Sequence, residues 1–373
     1  MSAFALVHLL CLTAATPPED PLIAAARKGD LAAVKAALGA GAQVGTTNTR
    51  GETALHAAAV SGRVEVVQLL IESGAPLDAR EKKYQQTPLH QAAYRGQLEV
   101  VQLLLDSDAE KNVRDYMQNT PLHAAVRNEH LEVVKTLLQR GADIDARAES
   151  DARPLHMAAW LPSTAVLQLL LDYHADLEAK DSGGDTPLAN ACHFGSIPHA
   201  KLLIDKGANV NASDNSGDTV LMKAERGNAW SAELIEALLA KGADPNAKNK
   251  RGEDVLQKLS SFQNVYSNQV DHLLAHAKTL DPKRRRPFEL LQAAEHGQAE
   301  KIASLAKEVS LTDGELGQQA VCNAAGEGKL EAVKALAAAG VALKGKIGGV
   351  CLVRAANFIH WDVFLYLLEQ GAP

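Results

Sequence analysis

The 373-residue sequence lacks the features that mark several common classes of function. It contains no Gly-rich phosphate loop after a strand, no His-Glu-x-x-His motif and no Gly-x-Ser-x-Gly elbow. Its formal net charge is −7 with mixed signs, which argues against a general nucleic-acid binder. No segment beyond the N-terminus approaches the roughly 18 apolar residues that cross a bilayer. We therefore expect no catalytic residue, metal, cofactor, nucleic-acid partner or transmembrane segment.

Cysteine is also scarce, with Cys11, Cys192, Cys322 and Cys351 as the four residues of this type. Cys192 occupies a small core position, and Cys322 and Cys351 occupy different positions in successive copies of the repeat described below. Packed helices lie about 8–10 Å apart, whereas a disulfide needs Cα atoms within about 7 Å. We therefore expect no disulfide framework, so cysteine usage does not settle the compartment.

What the chain does contain is a recurring phrase, Thr-Pro-Leu-His. It is intact at residues 87–90 and 120–123, and residues 53–56 and 153–156 differ from it by one substitution each. A small residue recurs with nearly the same period of 33 or 34 residues at Ala25, Ala58, Ala92, Ala125, Ala158, Ala191 and Ala224. A fixed period of this size indicates a stack of similar small units.

Each unit has the pattern of two helices. Thr is a good N-cap, Pro suits the first helical position, and Gly62 or Gly96 suits the end of the first helix. Leu98, Val101 and Leu104 form one apolar stripe at 3.6 residues per turn, which predicts the second helix. Gly-Ala pairs such as Gly74-Ala75 close that helix, and the polar stretch after each pair predicts a hairpin-like finger.

At these residues the chain resembles the ankyrin-repeat family, whose unit is a β-turn finger followed by two antiparallel helices. The segment from Gly51-Glu52-Thr53-Ala54-Leu55-His56 to Gly74-Ala75 carries the closest match. The resemblance is clear from about residue 20 to residue 248, and weaker copies continue to Ala355-Ala356. It implies an all-α ankyrin-repeat solenoid, in which helix-turn-helix units are joined by β-turn fingers, with about eleven units.

The pattern divides the chain into four segments. Residues 1–16 form a signal peptide or N-terminal apolar segment, and residues 20–280 form the main array of seven clear units and one degenerate unit. A basic linker at 281–287 precedes divergent ankyrin-like units at 288–373. We interpret its four consecutive cations as a solvated turn, with a nuclear address or phosphate contact as the alternative.

Two units depart from the pattern. In the fifth, Arg153 replaces the capping Thr and Pro162 stands where Gly is usual, so its first helix should start less firmly and end abruptly. In the seventh, Glu225 occupies a small-residue position and the chain up to Gly242 is longer than usual. This predicts a bulge or a longer loop around Trp230.

The compartment is predicted from the N-terminus. An apolar run from Ala3 to Ala15 ends in small residues and Pro17-Pro18, which is typical of a signal peptide and favours export to the exterior or the periplasm. Against this, no Lys or Arg precedes Glu19. The alternative is a buried N-terminal capping helix in a cytoplasmic protein.

The phrase histidines, His56, His90, His123 and His156, raise the question of a metal site. Equivalent positions in stacked units lie about 8–10 Å apart, too far for a zinc ion that sits about 2 Å from each nitrogen. The ankyrin resemblance implies instead that these histidines hydrogen-bond within the turn and to the next unit.

Function is expected where units differ at exposed positions. In ankyrin proteins the finger tips and the ends of the first helices line the concave side, and the candidates there are Tyr84, Tyr94, Arg95, Tyr116, Met117, Arg127, Trp160, Leu161, His193 and Phe194. Only 4% of the chain is aromatic, and aromatic, Met and Arg side chains are enriched at interface cores. The alternative is that Trp160 and Phe194 fill gaps between units.

We therefore predict a non-catalytic protein-protein interaction scaffold that binds a protein partner, of unknown identity, through the concave finger and first-helix surface. One alternative is a structural role with weak self-association through the C-terminal end, since the helix from Trp361 to Leu368 is apolar. The other is a regulatory protein with an enzymatic activity in the divergent region after Phe288.

Overall fold

The computed structural model describes residues 19–224, 232–260, 273, 275, 280–311, 315–344 and 346–372. The chain divides into two compact bodies. The N-terminal body contains the residues up to Ala191 together with Pro198–Asn209, and the C-terminal body contains Cys192–Ile197 together with the residues from Val210 onward. Among the described residues, no helix is long and apolar enough to cross a membrane.

The N-terminal body is built from pairs of short helices. In chain order these are α1 Pro21–Lys28, α2 Leu31–Gly39, α3 Ala54–Ser61, α4 Val64–Glu72, α5 Pro88–Arg95, α6 Leu98–Asp106, α7 Pro121–Arg127, α8 Leu131–Gln139, α9 Pro154–Ala158, α10 Ala165–Asp172, α11 Pro187–His193, which ends at the border of the body, and α12 Ile197–Asp205. First helices pack on first helices and second helices on second helices, as in α3 on α5 and α4 on α6. The predicted helix-turn-helix repeat is confirmed.

Local signals start and stop these helices as the sequence predicts. The Thr53 and Thr87 hydroxyls accept hydrogen bonds from the backbone N–H groups of His56 and His90, three residues on. Gly62 and Gly96 end α3 and α5 in the left-handed conformation, with φ of 72° and 70°. The leucine of the phrase is fully buried in successive repeats, at Leu55, Leu89, Leu122, Leu155 and Leu188.

The phrase histidines join one repeat to the next. Nδ1 of His90 accepts a hydrogen bond from the Thr87 backbone N–H at 3.3 Å, which leaves the proton on Nε2. Nε2 of His90 then donates to the Asn119 carbonyl, 3.0 Å away in the finger of the following repeat. His56 and His156 make the same bond to the Gln86 and Asp185 carbonyls, at 3.0 and 3.1 Å. The structural role that the resemblance implies is confirmed for these three histidines.

His123 is the exception. The equivalent acceptor is the Ala152 carbonyl, but Nε2 of His123 is buried without a hydrogen bond. The finger that carries Ala152 differs from its neighbours, because Ala148 stands where the fingers on either side have Asp115 and Asp181, whose carboxylates hold the turn. Without that carboxylate, residues Glu149–Asp151 form a 3₁₀ turn.

The first helix of the fifth repeat is short and ends abruptly, as predicted. This helix, α9, ends at Ala158, and Arg153 at its N-cap position makes no side-chain cap hydrogen bond. The Arg153 guanidinium instead forms ion pairs with Asp145 and Asp176, at 3.4 and 2.9 Å. Asp145 lies in the same finger as Arg153 and Asp176 lies in the next one, so a contact with the neighbouring repeat helps to hold this weak helix.

The C-terminal body contains the remaining helices: α13 Val220–Lys223, α14 Ala232–Ala240, α15 Val255–Ser260, α16 Pro282–Glu295, α17 Ala299–Leu305, α18 Glu315–Gly326, α19 Leu330–Ala338, α20 Lys346–Asn357 and α21 Trp361–Glu369. Where the phrase histidine is absent, buried charges link the repeats. Asp218 accepts hydrogen bonds from Asn249, at 2.8 Å, and from Lys258. All three side chains are buried.

The basic linker predicted at 281–287 is not a linker. Its residues begin the 14-residue helix α16, in which the Asp281 carboxylate caps the Lys283 backbone N–H at 3.0 Å and Pro282 occupies the first turn. Arg285 pairs with Glu289 one turn later, at 2.6 Å, and Arg286 pairs with Glu308. The division of the chain into two bodies falls within residues 191–210 and not within residues 281–287. The predicted bulge around Trp230 and the segment 1–16 lie outside the described residues.

The expectation of no disulfide was wrong. Cys322 in α18 and Cys351 in α20 form a disulfide, with Cα atoms 4.4 Å apart. The spacing of about 8–10 Å on which we based the expectation separates helix axes, whereas the limit of about 7 Å for a disulfide applies to the two Cα atoms. Each Cα lies about 2.3 Å from its own axis, so residues on facing sides of helices about 9 Å apart approach to roughly 4–5 Å.

Burial of the phrase histidines makes the stability of the protein sensitive to pH. Burial lowers the pKa of His56, His90 and His156, and it lowers that of His123 to about 4. The folded state therefore binds fewer protons than the unfolded chain between about pH 4 and the ordinary histidine pKa near 6.5. Stability is complete above this window and is lost as the pH falls through it.

For His123, the free energy of unfolding falls by roughly 3 kcal/mol between neutral pH and pH 4. Urea unfolding of the full chain from pH 7 to pH 4 measures it, and the variant His123→Gln should lose visibly less stability across the window than the unaltered chain. Equal losses in the two proteins would contradict this account of His123.

Candidate functional site

The finger tips of the third and fourth repeats form a connected edge. The Tyr116 backbone N–H donates to the Tyr84 carbonyl at 2.7 Å, and the Glu149 N–H donates to the Met117 carbonyl at 2.9 Å. Each tip is closed by a buried carboxylate, since Glu81 accepts from the Lys83 N–H at 2.8 Å. Asp115 closes the next tip by accepting from the Met117 and Asn119 N–H groups. The backbone of both tips is therefore fixed before any partner arrives.

The tips present large side chains to solvent. Tyr84 is 46% exposed, Tyr116 is 73% exposed and Met117 is 41% exposed. Lys83 Nζ lies 4.6 Å from the centre of the Tyr84 ring, within range of a cation–π interaction. The prediction that these three residues are not part of the core agrees with the structure.

The ends of the first helices carry the rest of the candidates in this body. Tyr94 is exposed at the end of α5, and the Arg95 guanidinium carbon lies 5.7 Å from the centre of its ring. The carbonyl of Tyr94 accepts from Nε2 of His130 in the next repeat, at 3.0 Å. A side chain at Gly96 would reach within 2.6 Å of that imidazole. The position of Tyr94 is thus set by the neighbouring repeat.

Trp160 and Leu161 follow the short helix α9, and the structure separates them. Trp160 is 46% exposed, so it does not simply fill a gap between repeats. Leu161 is 5% exposed, and its prediction as a partner-binding residue was wrong. Because α9 ends at Ala158, the chain turns before Pro162 and directs Leu161 into the core. Arg127, at the end of α7, is exposed.

His193 and Phe194 belong to the C-terminal body. Phe194 is 57% exposed, and its ring meets the half-buried His193 ring edge-on with 5.1 Å between the ring centres. Their role in partner binding stays a prediction. In the N-terminal body the structure leaves seven candidate residues on the surface, which we call the Tyr–Arg surface: Tyr84, Tyr94, Arg95, Tyr116, Met117, Arg127 and Trp160.

Sequence reasoning missed the cations of the fingers. Arg80 and Arg114 recur at the repeat period, and each donates to a carbonyl in the next finger, Arg80 to that of Arg114 at 3.1 Å and Arg114 to that of Arg147 at 2.6 Å. Their period is the signal that marks them as part of the scaffold. Lys82 and Lys83 do not recur in the neighbouring fingers, and both are exposed at the tip beside Tyr84.

The candidate residues differ in chemistry and in exposure from the histidines of the phrase. In the described ranges, no group of three or more His, Cys, Asp or Glu side chains is arranged to hold a metal ion. The phrase histidines are buried one per repeat, and three of them donate to backbone carbonyls. The exposed candidates are aromatic, Met and Arg side chains, which suit contact with a macromolecule.

Comparison with known proteins agrees with the repeat architecture. The family model for ankyrin repeats (3 copies) matches residues 22–115 and 155–249, and that for a single ankyrin repeat matches residues 117–149. The human ASB11 ankyrin repeat domain is similar in structure, with a TM-score of 0.55 and 27% identity, over 61% of this chain and 100% of that domain.

Two further proteins are similar to parts of the chain. The ankyrin repeat domain of Bcl-3, a member of the IkappaB protein family, has a TM-score of 0.54 and 32% identity, over 60% of this chain and 99% of that domain. Palmitoyltransferase AKR1 of Yarrowia lipolytica is 46% identical over 63 residues, which are 17% of this chain and only 9% of that protein. The family models together match more than half of the sequence, and the chain belongs to the ankyrin-repeat family.

Proposed function

We propose that the protein is a non-catalytic interaction scaffold that binds a protein partner through the Tyr–Arg surface. Ankyrin repeats generally mediate protein-protein interactions, which supports the class of function. The observation that carries the location is the exposure of aromatic and Met side chains on a backbone fixed by neighbouring repeats. A preformed surface loses little conformational entropy on binding, so its contacts contribute to affinity more fully.

The absence of catalysis is part of this proposal. The similarity to a palmitoyltransferase spans 63 residues and 9% of that protein. Most of the described chain is accounted for by helix pairs and fingers, and the exposed candidates carry no nucleophile next to a general base. The candidates all lie before residue 200, so an enzymatic activity in the region after Phe288 stays a prediction that they do not test.

The double variant Tyr94→Ala/Trp160→Ala tests the location of the surface. Affinity capture from native extract identifies the partner, and titration of the purified pair by calorimetry measures its affinity. Loss of two exposed anchors at the centre of an interface weakens binding by at least about tenfold. Thermal unfolding should be nearly unchanged because both side chains are half exposed.

The matched control is Leu131→Ala/Tyr173→Ala, which removes two apolar side chains from the second-helix side of the same body. We expect it to bind like the unaltered chain. A Tyr94→Ala/Trp160→Ala protein that is folded and retains full affinity would show that the site lies elsewhere. Phe194→Ala, tested alone, reports whether the C-terminal body takes part.

We propose self-association as a second function, because the last helix pair has an apolar exposed face. Its members, each 43% or more exposed, are Val350, Val353, Phe358, Ile359, Trp361, Leu365 and Leu368. Val353 and Cys322 occupy equivalent positions in successive repeats, because each stands two positions before an Ala-Ala pair, Ala355-Ala356 and Ala324-Ala325 respectively. Cys322 faces the next repeat, so Val353 presents the same kind of face, and a second copy of the chain is the occupant that we propose.

Light scattering over a range of concentrations tests this dimer. The mean mass should rise toward that of two chains as the concentration increases, and Val353→Glu should keep the protein monomeric by placing a charge in the apolar contact. Leu131→Glu, on the other body, should not change the mass. A monomer of constant mass at all concentrations would exclude the dimer.

We also propose that the protein is exported. The apolar N-terminal run supports this, and so does the disulfide, since disulfides persist chiefly in oxidising compartments. Mass spectrometry of the protein from its native source, digested without reductant, should find a linked Cys322–Cys351 peptide pair and an N-terminus beyond residue 16. An intact Met1 together with free thiols would place the protein in a reducing compartment instead.

A further inference from the structure

The chemistry of the finger tips narrows the kind of partner. Exposed residues at the tip of the third repeat include Lys82, Lys83 and Tyr84, and those at the tip of the fourth repeat are Tyr116, Met117 and Gln118. The hydrogen bond from the Tyr116 N–H to the Tyr84 carbonyl, at 2.7 Å, holds the two tips side by side. A ligand that lies across them meets cations and aromatic rings together.

The acidic residues of these two tips are turned inward. Glu81 and Asp115 are 5% and 7% exposed, and both carboxylates accept hydrogen bonds from backbone N–H groups of their own turns. They are therefore satisfied and shielded from a ligand. The exposed side chains of the tips contain no carboxylate.

Four exposed cations lie at the tip of the third repeat or at the ends of the first helices of the third and fourth repeats: Lys82, Lys83, Arg95 and Arg127. Within the described residues, none of the four forms an ion pair with a carboxylate. Two of them, Lys83 and Arg95, lie against the faces of Tyr84 and Tyr94. The exposed side chains of this area therefore carry positive charge, although the net charge of the whole chain is −7.

The next finger limits the positive area. Glu149 is exposed and Asp151 is half-buried at the tip of the fifth repeat, and Asp151 pairs with Arg147 at 3.4 Å. In the fifth repeat, Trp160 follows the first helix and offers an exposed aromatic side chain. An acidic ligand is attracted to the third and fourth repeats and repelled by Glu149, whereas an apolar side chain suits Trp160.

We infer that the Tyr–Arg surface binds an acidic protein segment that carries large apolar side chains. Its carboxylates face Lys82, Lys83, Arg95 and Arg127, and its apolar side chains face Tyr84, Tyr116 and Trp160. Two repeat steps of about 10 Å separate the third repeat from the fifth, so about six extended residues span the surface. This inference rests on the proposed function and specifies the chemistry of its partner.

A single-stranded nucleic acid also combines negative charge with stacking surfaces. The structure favours the acidic protein segment, because the cations are few and do not continue along the array. The exposed Glu149 would also oppose a continuous row of phosphates. Nucleic acid is therefore one of the outcomes that the experiment distinguishes.

Selection from a random 12-residue peptide library on the full chain, followed by fluorescence polarisation with synthetic selected peptides, tests the inference. We expect the selected peptides to be enriched in Asp and Glu together with aromatic residues. Lys82→Glu/Lys83→Glu should weaken their binding by about tenfold or more, since like charges then face each other. Higher salt should weaken binding to the unaltered chain.

The matched control Lys35→Glu/Lys135→Glu changes the net charge equally, but on the second helices α2 and α8. It should bind the peptides like the unaltered chain. A 12-nucleotide oligothymidylate is titrated in parallel, and tighter binding of this probe than of any selected peptide would overturn the inference. So would a selection that yields no acidic peptides, or full affinity in Lys82→Glu/Lys83→Glu.

The variant Tyr94→Ala/Trp160→Ala separates failure of this inference from failure of the proposed function. If peptides without acidic residues are selected and this variant loses them, the surface binds protein and only the acidic class of partner is wrong. If neither variant changes the binding of any selected peptide, the location of the site is wrong as well.

Discussion

The hydrogen bond from a buried histidine to a carbonyl of the next repeat is the contact on which the N-terminal body depends. In His90 the two ring nitrogens make different hydrogen bonds. Nδ1 accepts from the backbone N–H of Thr87, the N-cap of its own helix, and Nε2 donates to the Asn119 carbonyl in the following finger. One side chain therefore couples the start of a helix to the position of the neighbouring finger. The bond is buried, and a buried donor or acceptor left without a hydrogen bond destabilises the fold. Each finger is therefore held where its carbonyl can accept from the histidine of the preceding repeat.

The proposed binding surface depends on this coupling although it contains none of the phrase residues. Tyr84 belongs to the finger whose carbonyl accepts the hydrogen bond from His56. Tyr116 belongs to the finger whose carbonyl accepts the hydrogen bond from His90. The leucines and histidines of the phrase are buried, whereas Tyr84, Tyr94 and Tyr116, which differ from repeat to repeat, are exposed at the tips and helix ends. Recognition can thus change from repeat to repeat without loss of the scaffold, as expected for a stacked repeat protein.

Sequence periodicity was sufficient to predict the features that each repeat forms within itself. Thr53 and Thr87 as caps, Gly62 and Gly96 as helix ends and the five buried leucines all follow from local chemistry. Exposure of Tyr84 and Tyr116 followed from their place in a finger. These predictions needed only the spacing of residues along the chain and the conformational preferences of Thr, Pro and Gly.

The failed predictions concern distances and directions in space. Burial of Leu161 depends on how the chain turns after a five-residue helix, and the disulfide depends on which sides of α18 and α20 face each other. The inward orientation of Glu81 and Asp115, which leaves no exposed carboxylate at the two tips, is set by hydrogen bonds from backbone N–H groups. Composition alone would have counted both carboxylates as surface charge.

We propose that partners contact the finger tips and first-helix ends of the N-terminal body. Photo-crosslinking in native extract locates the contact, with benzoylphenylalanine introduced in place of Tyr116 in one protein and of Leu131, on the second-helix side, in another. We expect a discrete crosslinked partner from position 116 and none from position 131. A partner crosslinked from position 131 and absent at position 116 would contradict it.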